Sequence, residues 1–223
     1  MNQIRQIISS LRSHYIAVAG FFVIFYLVGI TGMLIPFTFP LFVKLIPLAL
    51  LLSTVGFLVF HTDFSARTWI LFILIYLAGF FVEVVGVNTG KIFGNYSYGE
   101  SLGITIFKTP LIIGINWLLL VYLTSSTTEL LKVSSGIKIL LASGIMLGYD
   151  IIIEPLAPQL DMWTWDNNQI PVRNYIAWFV LALIFTSLVK IVGVKTHNKL
   201  APVLLVCQLL FFIILLVTFH FKH

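Results

Sequence analysis

The 223-residue chain is 60% hydrophobic and only 9% charged, whereas soluble globular domains carry roughly 25% charged residues. That balance points to a membrane protein, and the net charge of +5 then marks residues flanking membrane spans rather than a nucleic-acid partner. A single cysteine, Cys207, excludes an internal disulfide and a cysteine-built metal site.

The chain opens with the basic stretch "MNQIRQIISSLRSHY", followed by an apolar run from Tyr15 to Pro36. That run is too long for a signal-peptide core and lacks a small-residue cleavage site, so it reads as a retained first span. Six further runs follow at Leu41–Phe60, Arg67–Val87, Ile104–Thr124, Gly136–Leu156, Tyr175–Gly193 and Leu200–Phe219. Each approaches the ~20 apolar residues that cross a bilayer as a helix, and none alternates polar with apolar. The expectation is an all-α integral membrane protein, a bundle of about seven transmembrane helices forming one domain over residues 1–223.

An odd number of spans places the termini on opposite sides. The N-terminal side then carries Arg5, Arg12, Arg67, Lys132, Lys138, Lys190, Lys195 and Lys199, against Lys44, Lys91, Lys108, Arg173 and Lys222 on the other. The excess favours a multi-pass protein of the plasma or inner membrane, with a cytoplasmic N-terminus and its C-terminus opposite. The two longest loops, after the third and fifth spans, share the side opposite the N-terminus.

Those loops echo one another. Glu83 closes the third span, Tyr96-Ser-Tyr98 begins thirteen residues later, and Pro110 precedes Trp117 by seven. Asp150 sits in the fifth span, Trp163-Thr-Trp165 begins thirteen residues later, and Pro171 precedes Trp178 by seven. The echo suggests a parallel repeat of spans three–four and five–six around one site, with Glu83 corresponding to Asp150. Chance resemblance in an aromatic-rich chain is the competing reading.

Three of the eight acidic residues, Glu83, Asp150 and Glu154, fall within or at the ends of apolar spans. A charge at the bilayer centre costs at least ~2.5–3.5 kcal/mol, so such residues are candidates for function; buried ion pairing or snorkelling is the bland alternative. Asp150 and Glu154 are four residues apart and share one helix face. Two carboxylates so close in a low-dielectric site share a proton more readily than they both ionise, which equips the pair for acid–base work. Asn116, mid-way along the fourth span, needs a partner inside the bundle, as helix–helix glue or as part of the site. Lys108 is the nearest cation to the acids, while Arg173 and Asn174, where the sixth span begins, can cap that helix or bind the acids. Tyr96, Tyr98, Trp163 and Trp165 fit either an interfacial belt or an aromatic wall that stabilises a cation. Gly86 reads as close packing, and Gly90 and Gly94 as loop freedom.

The five histidines (14, 61, 197, 220, 223) are scattered, without the clustering a histidine-ligated di-iron oxygenase needs. The seventh span has Cys207 and Gln208 at mid-depth and no lysine for a retinal Schiff base. No Gly-rich phosphate loop occurs, so neither a metal nor a nucleotide cofactor is expected. The sequon at Asn95 reads as incidental.

The segments "EVVGVNTGKIFGNYSYGESLG" (Glu83–Gly103), "PLIIGINW" (Pro110–Trp117) and "DIIIEPLAP", "WTW" and "IPVRNYIAW" (between Asp150 and Trp178) together resemble the CruF-type carotenoid biosynthesis proteins. That family includes carotenoid 1',2'-hydratases and bisanhydrobacterioruberin hydratases; the first two spans and the last match only as apolar stretches. The resemblance implies cofactor-free hydration of the terminal C=C of an acyclic, lycopene- or γ-carotene-like end group to a tertiary alcohol. Its substrates are an isoprenoid and water, met within membrane lipid. Asp150, Glu154 and Glu83 are then the catalytic candidates, with Asp150 as proton donor, Glu154 or Glu83 as base, and the roles open to exchange. Tyr96, Tyr98, Trp163, Trp165, Asn116, Asn174, Trp117 and Trp178 are the candidate substrate-binding residues. A carotenoid cyclase or isomerase using the same protonation without water, and a proton-coupled transporter, are the alternatives. Polar residues gathered in one leaflet favour a one-sided site over a transport path.

Overall fold

A computed structural model describes residues 2–221; Lys222 and His223, counted above, lie outside the described residues. The helices are α1 (Asn2–Ser13), α2 (Tyr15–Leu34), α3 (Phe39–Lys44), α4 (Ile46–Phe60), α5 (Ala66–Thr89), α6 (Ile112–Glu129), α7 (Ser135–Ile153), α8 (Val172–Val192) and α9 (Ala201–His220). Four short strands, β1 (Tyr96–Tyr98), β2 (Thr105–Ile106), β3 (Thr109–Pro110) and β4 (Trp163–Trp165), lie in the two long loops. The protein is an all-α membrane bundle: α2, α5, α7, α8 and α9 are long and apolar enough to cross a membrane, and α4 is a shorter apolar helix.

Helix α6 is the axis of the bundle, packing against α4, α5, α7, α8 and α9. Because protein rather than lipid surrounds it, it tolerates a polar second half. Every residue from Leu119 to Ser126 is buried, and Thr124 and Thr128 donate their hydroxyls to backbone carbonyls one turn back, at 2.8 and 3.0 Å.

The structure corrects several expected boundaries. The second span is broken at Leu45 into α3 and α4, each with a proline in its first turn (Pro40 and Pro47). Proline suits a helix start and interrupts a helix interior, so the run restarts. The fourth span begins at Ile112, not Ile104, because residues 104–111 form the β2–β3 hairpin. The fifth helix ends at Ile153, leaving Glu154 as its C-cap ahead of Pro155. The sixth begins at Val172, which places Asn174 in its first turn.

The ends of the bundle differ. At the N-terminal end, buried His61 bonds the Tyr122 hydroxyl at 2.8 Å through Nδ1, and the Asp63 carbonyl at 2.7 Å through Nε2. Asn198 donates to the Phe57 carbonyl at 2.9 Å and accepts from the Leu200 and Ala201 N–H groups, capping α9. Arg12 donates to the last carbonyls of α4, at Val59 (2.6 Å) and His61. Glu129 pairs with Lys138 at 2.9 Å and with Lys190.

At the opposite end the two long loops join. β1 and β4 pair antiparallel in the register Tyr96↔Trp165, Ser97↔Thr164, Tyr98↔Trp163. Side chains alternate along a strand, so the four aromatics turn inward over the helices while Ser97 and Thr164 are exposed.

Candidate active site

Glu83 sits in the penultimate turn of α5, and three donors converge on it. Its Oε2 accepts from the hydroxyls of Tyr96 (2.6 Å) and Tyr98 (2.8 Å), and its Oε1 accepts from the Trp117 indole N–H at 3.2 Å. The helix positions it by close approach: a Cβ on Gly79, one turn earlier, would lie 2.7 Å from the Trp117 Cβ. Gly90 then ends α5 in a left-handed conformation (φ +64°), turning the chain towards β1.

Glu154 is built alike. Its Oε2 accepts from the indole N–H groups of Trp165 (2.6 Å) and Trp163 (3.1 Å), and its Oε1 from the Asn174 amide at 3.0 Å. The same Asn174 nitrogen donates to Asp150 Oδ2 at 3.0 Å. Asp150 is fully buried, and its Oδ1 has no partner among the described residues. Each glutamate is therefore saturated by three N–H or O–H donors, while Asp150 has one. Carboxylates favour the first environment; a carboxyl group carrying a proton suits the second.

In its hydrogen bonding Glu83 matches Glu154 rather than Asp150, the residue that sequence spacing paired with it. Each glutamate is held by the two aromatics of one strand. Trp117 and Trp178, each seven residues after a proline, stack face to face with ring centroids 4.2 Å apart and planes at 21°.

These groups enclose a cavity of about 50 Å³, enough for a few water molecules given the ~10–15 Å³ each requires. Glu83, Glu154, Asn116, Asn174, Trp117, Trp178 and the four strand aromatics all line it. The roof rings touch across the ladder, Tyr96 with Trp165 at 5.0 Å and Tyr98 with Trp163 at 6.4 Å between centroids. Asp150 lies behind this wall rather than in it, reaching the cavity only through Asn174 and Glu154. Asn116 faces the cavity and has no hydrogen-bond partner among the described residues, so it is not the helix–helix glue that its position allowed. Lys108 pairs with no acid among the described residues; it occupies the β2–β3 turn with φ +62°. Arg173 is exposed at the start of α8.

Burial holds the Tyr96 and Tyr98 phenols above their ordinary range, and the Glu83 charge beside them adds to the effect. Both therefore remain hydrogen-bond donors to Glu83.

Sequence reasoning missed part of the wall. Tyr149, Ile153, Leu50 and Phe212 also line the cavity. Only Tyr149, beside Asp150, carried any signal; Leu50 and Phe212 belong to helices that read as plain apolar spans. Asp161 was missed too. Its carboxylate accepts the Glu100 N–H at 3.0 Å and its carbonyl accepts the Ser101 hydroxyl at 2.7 Å, locking the first long loop onto the second.

Fold and site together define a membrane-embedded protein with buried, aromatic-held carboxylates facing one small cavity. The chain belongs to the carotenoid biosynthesis protein family, whose family model matches residues 45–222 and so takes in every site residue named above. It is also similar to a bisanhydrobacterioruberin hydratase of Haloarcula japonica, 25% identical over 127 residues. That alignment covers 51% of this chain and 42% of the hydratase, so the chain spans less than half of that relative's length. No solved structure matches the chain.

Proposed function

We propose that this protein hydrates the terminal C=C bond of an acyclic carotenoid end group to a tertiary alcohol, without a cofactor. The observation that carries the reading is the pair of donor-saturated glutamates facing one aromatic cavity, with a third carboxyl behind one of them. Family membership and the similarity to a hydratase support a carotenoid substrate.

In the proposed reaction, the Asp150–Glu154 pair holds one proton. At rest that proton sits on Asp150; it shifts to Glu154, the member that lines the cavity, as Glu154 delivers it to the less substituted alkene carbon, and Asp150 keeps the resulting charge beside Asn174. This moves the donor role from Asp150 alone to the pair. The C=C π electrons form the new C–H bond, leaving a tertiary cation under the rings of Tyr96, Tyr98, Trp163 and Trp165. A water oxygen adds to the cation while Glu83 takes the water proton. Return of that proton to the Asp150–Glu154 pair resets the site, and one water is added overall. Side chains of the wall give way to admit the isoprenoid end. The excess of basic residues at the N-terminal end supports a cytoplasmic N-terminus, with the site in the opposite half of the cell membrane.

Expression in a lycopene-accumulating bacterium, followed by pigment chromatography and mass analysis, tests the reading. A product heavier by one water is expected, and it disappears in Asp150→Asn and Glu83→Gln. An isomeric product would instead indicate cyclisation or double-bond migration. Undiminished hydroxycarotenoid from both variants at normal protein level would refute the assignment.

A further inference from the structure

A hydratase in a membrane needs two substrates of opposite solubility. The site cavity is bounded by apolar helices that meet lipid, yet water must reach Glu83. Beside it, between β1 and the β2–β3 hairpin, lies a second and larger cavity of about 740 Å³. Its lining includes Ser97, Glu100, Thr105 and Lys108, and the two residues it shares with the site cavity are Tyr96 and Tyr98.

Three features fix its character. Glu100 and Lys108 are charged and exposed, and charges of this kind are expelled from the hydrocarbon layer, where each costs at least ~2.5–3.5 kcal/mol. The cavity therefore opens to water and headgroups rather than acyl chains. Its walls are also held in place. Gly99 N–H donates to the Met162 carbonyl at 2.9 Å, Ser101 N–H donates to the Asp161 carbonyl at 3.2 Å, and Asn88 ties the hairpin turn at the Phe107 carbonyl at 2.9 Å. Finally, the partition is the tyrosine pair whose hydroxyls bond Glu83 Oε2 at 2.6 and 2.8 Å. The two residues that line both cavities thus bond Glu83 and not Glu154.

We infer that the cavity bounded by Ser97, Glu100, Thr105 and Lys108 is a vestibule that delivers the hydrating water past Tyr96 and Tyr98 to Glu83, while the isoprenoid end enters from the lipid side. This rests on the hydratase reading and assigns Glu83 the water-facing role within it. The tyrosines are positioning residues: they hold Glu83 and narrow the passage to the size of water.

A single-cysteine experiment tests the route. In a Cys207→Ser background, Ser97→Cys and Thr105→Cys place a thiol in the vestibule, and Ile184→Cys, on the exposed face of α8, is the lipid-facing control. Membranes opened to both sides are treated with a charged, membrane-impermeant methanethiosulfonate. Labelling is read by protein mass, turnover by pigment analysis, and bound carotenoid by the pigment that copurifies. The vestibule thiols are expected to label much faster than the control. Turnover of the labelled protein should then fall at least about tenfold against the same unlabelled variant, recover on reduction, and leave bound carotenoid unchanged. Labelling no faster than at Ile184→Cys, full labelling with unchanged turnover, or loss of bound carotenoid would each overturn the inference. Failure of the hydratase reading is separately visible, since the unmodified protein would then yield no water-adduct product whatever the labelling pattern.

Discussion

Tyr96 and Trp165 face each other across the β1–β4 ladder, and each donates a 2.6 Å hydrogen bond to a different glutamate, Tyr96 to Glu83 and Trp165 to Glu154. One two-stranded ladder thus sets the positions of both carboxylates. The strands are three residues each, too short to be stable alone, so the aromatics and the carboxylates must fix one another.

That mutual fixation predicts a specific pattern of coupling. A hydrogen bond to a charged group contributes ~1.5–3 kcal/mol, so Tyr96→Phe should slow turnover roughly 10- to 100-fold with normal protein level. Added to Glu83→Gln, the same change should cost little more, because its partner is already gone. Trp163→Phe, which touches Glu154 instead, should add nearly its full effect to Glu83→Gln. Product formation per unit protein in the four singles and doubles measures the cycle, and equal additivity in both pairs would contradict the assignment.

The raised phenols of Tyr96 and Tyr98 give an alkaline signature. Burial, then the Glu83 charge, favours their protonated forms in the folded state. The unfolded chain ionises them near the ordinary tyrosine value of about 10. A group raised in the folded state contributes stability that is fully present below the unfolded pKa and is lost as pH climbs beyond it. Thermal stability in detergent should therefore hold to about pH 10 and fall above it, with phenolate absorbance from these two residues appearing only on unfolding. Tyr96→Phe with Tyr98→Phe should flatten that decline; an unchanged slope would count against it.

Close helix approach gives a third expectation. A Cβ at Gly79 would meet Trp117 Cβ at 2.7 Å and Cγ at 2.7 Å, and one at Gly114 would meet the Tyr76 carbonyl at 2.7 Å. Gly79→Val should push α5 from α6, withdraw the Trp117 indole from Glu83 and loosen its stack on Trp178. Overpacking of this kind typically costs ~1–3 kcal/mol. Activity should fall further than melting temperature suggests, since Glu83 loses a donor as well. A melting scan beside pigment turnover reads both effects, and full activity at normal stability would show that the approach is not needed.

The bundle was legible in the sequence because lipid demands long apolar runs, and the carboxylates because charge is so rare among them. The periodicity of Tyr96-Ser-Tyr98 and Trp163-Thr-Trp165 was visible, but its cause, pairing between strands sixty-odd residues apart, has no local signal. Counting from aromatic to acid matched Glu83 to Asp150; hydrogen bonding matches it to Glu154, whose place beyond the last turn of α7 depends on where Pro155 ends the helix. The β2–β3 hairpin was hidden because Ile104, Ile106 and Phe107 are as apolar as a span, and its turn uses Phe107 and Lys108 at φ +52° and +62° where glycine or asparagine would have announced it.

The two ends of the bundle predict a separation of stability from chemistry. Burial pushes the His61 imidazole down, against an opposing hydrogen bond to the Asp63 carbonyl. A base depressed in the folded state contributes stability that is present above its unfolded pKa and lost as pH falls. Stability should thus decline below about pH 6.5, as protonation charges the buried His61 ring and removes the Nδ1 lone pair that accepts from Tyr122, and His61→Gln should shrink that decline. Asn198→Ala should lower stability by ~1–3 kcal/mol at neutral pH, because it uncaps α9 and removes one of the two hydrogen bonds made by each of the buried Phe57 carbonyl and Tyr122 hydroxyl. Neither change touches the carboxylate cavity at the opposite end. Turnover per folded molecule, measured well below each variant's melting temperature, should match the parent protein. A turnover loss in Asn198→Ala at full folding would show instead that the N-terminal-end network reaches the site through α6, the one helix that carries both Tyr122 and Trp117.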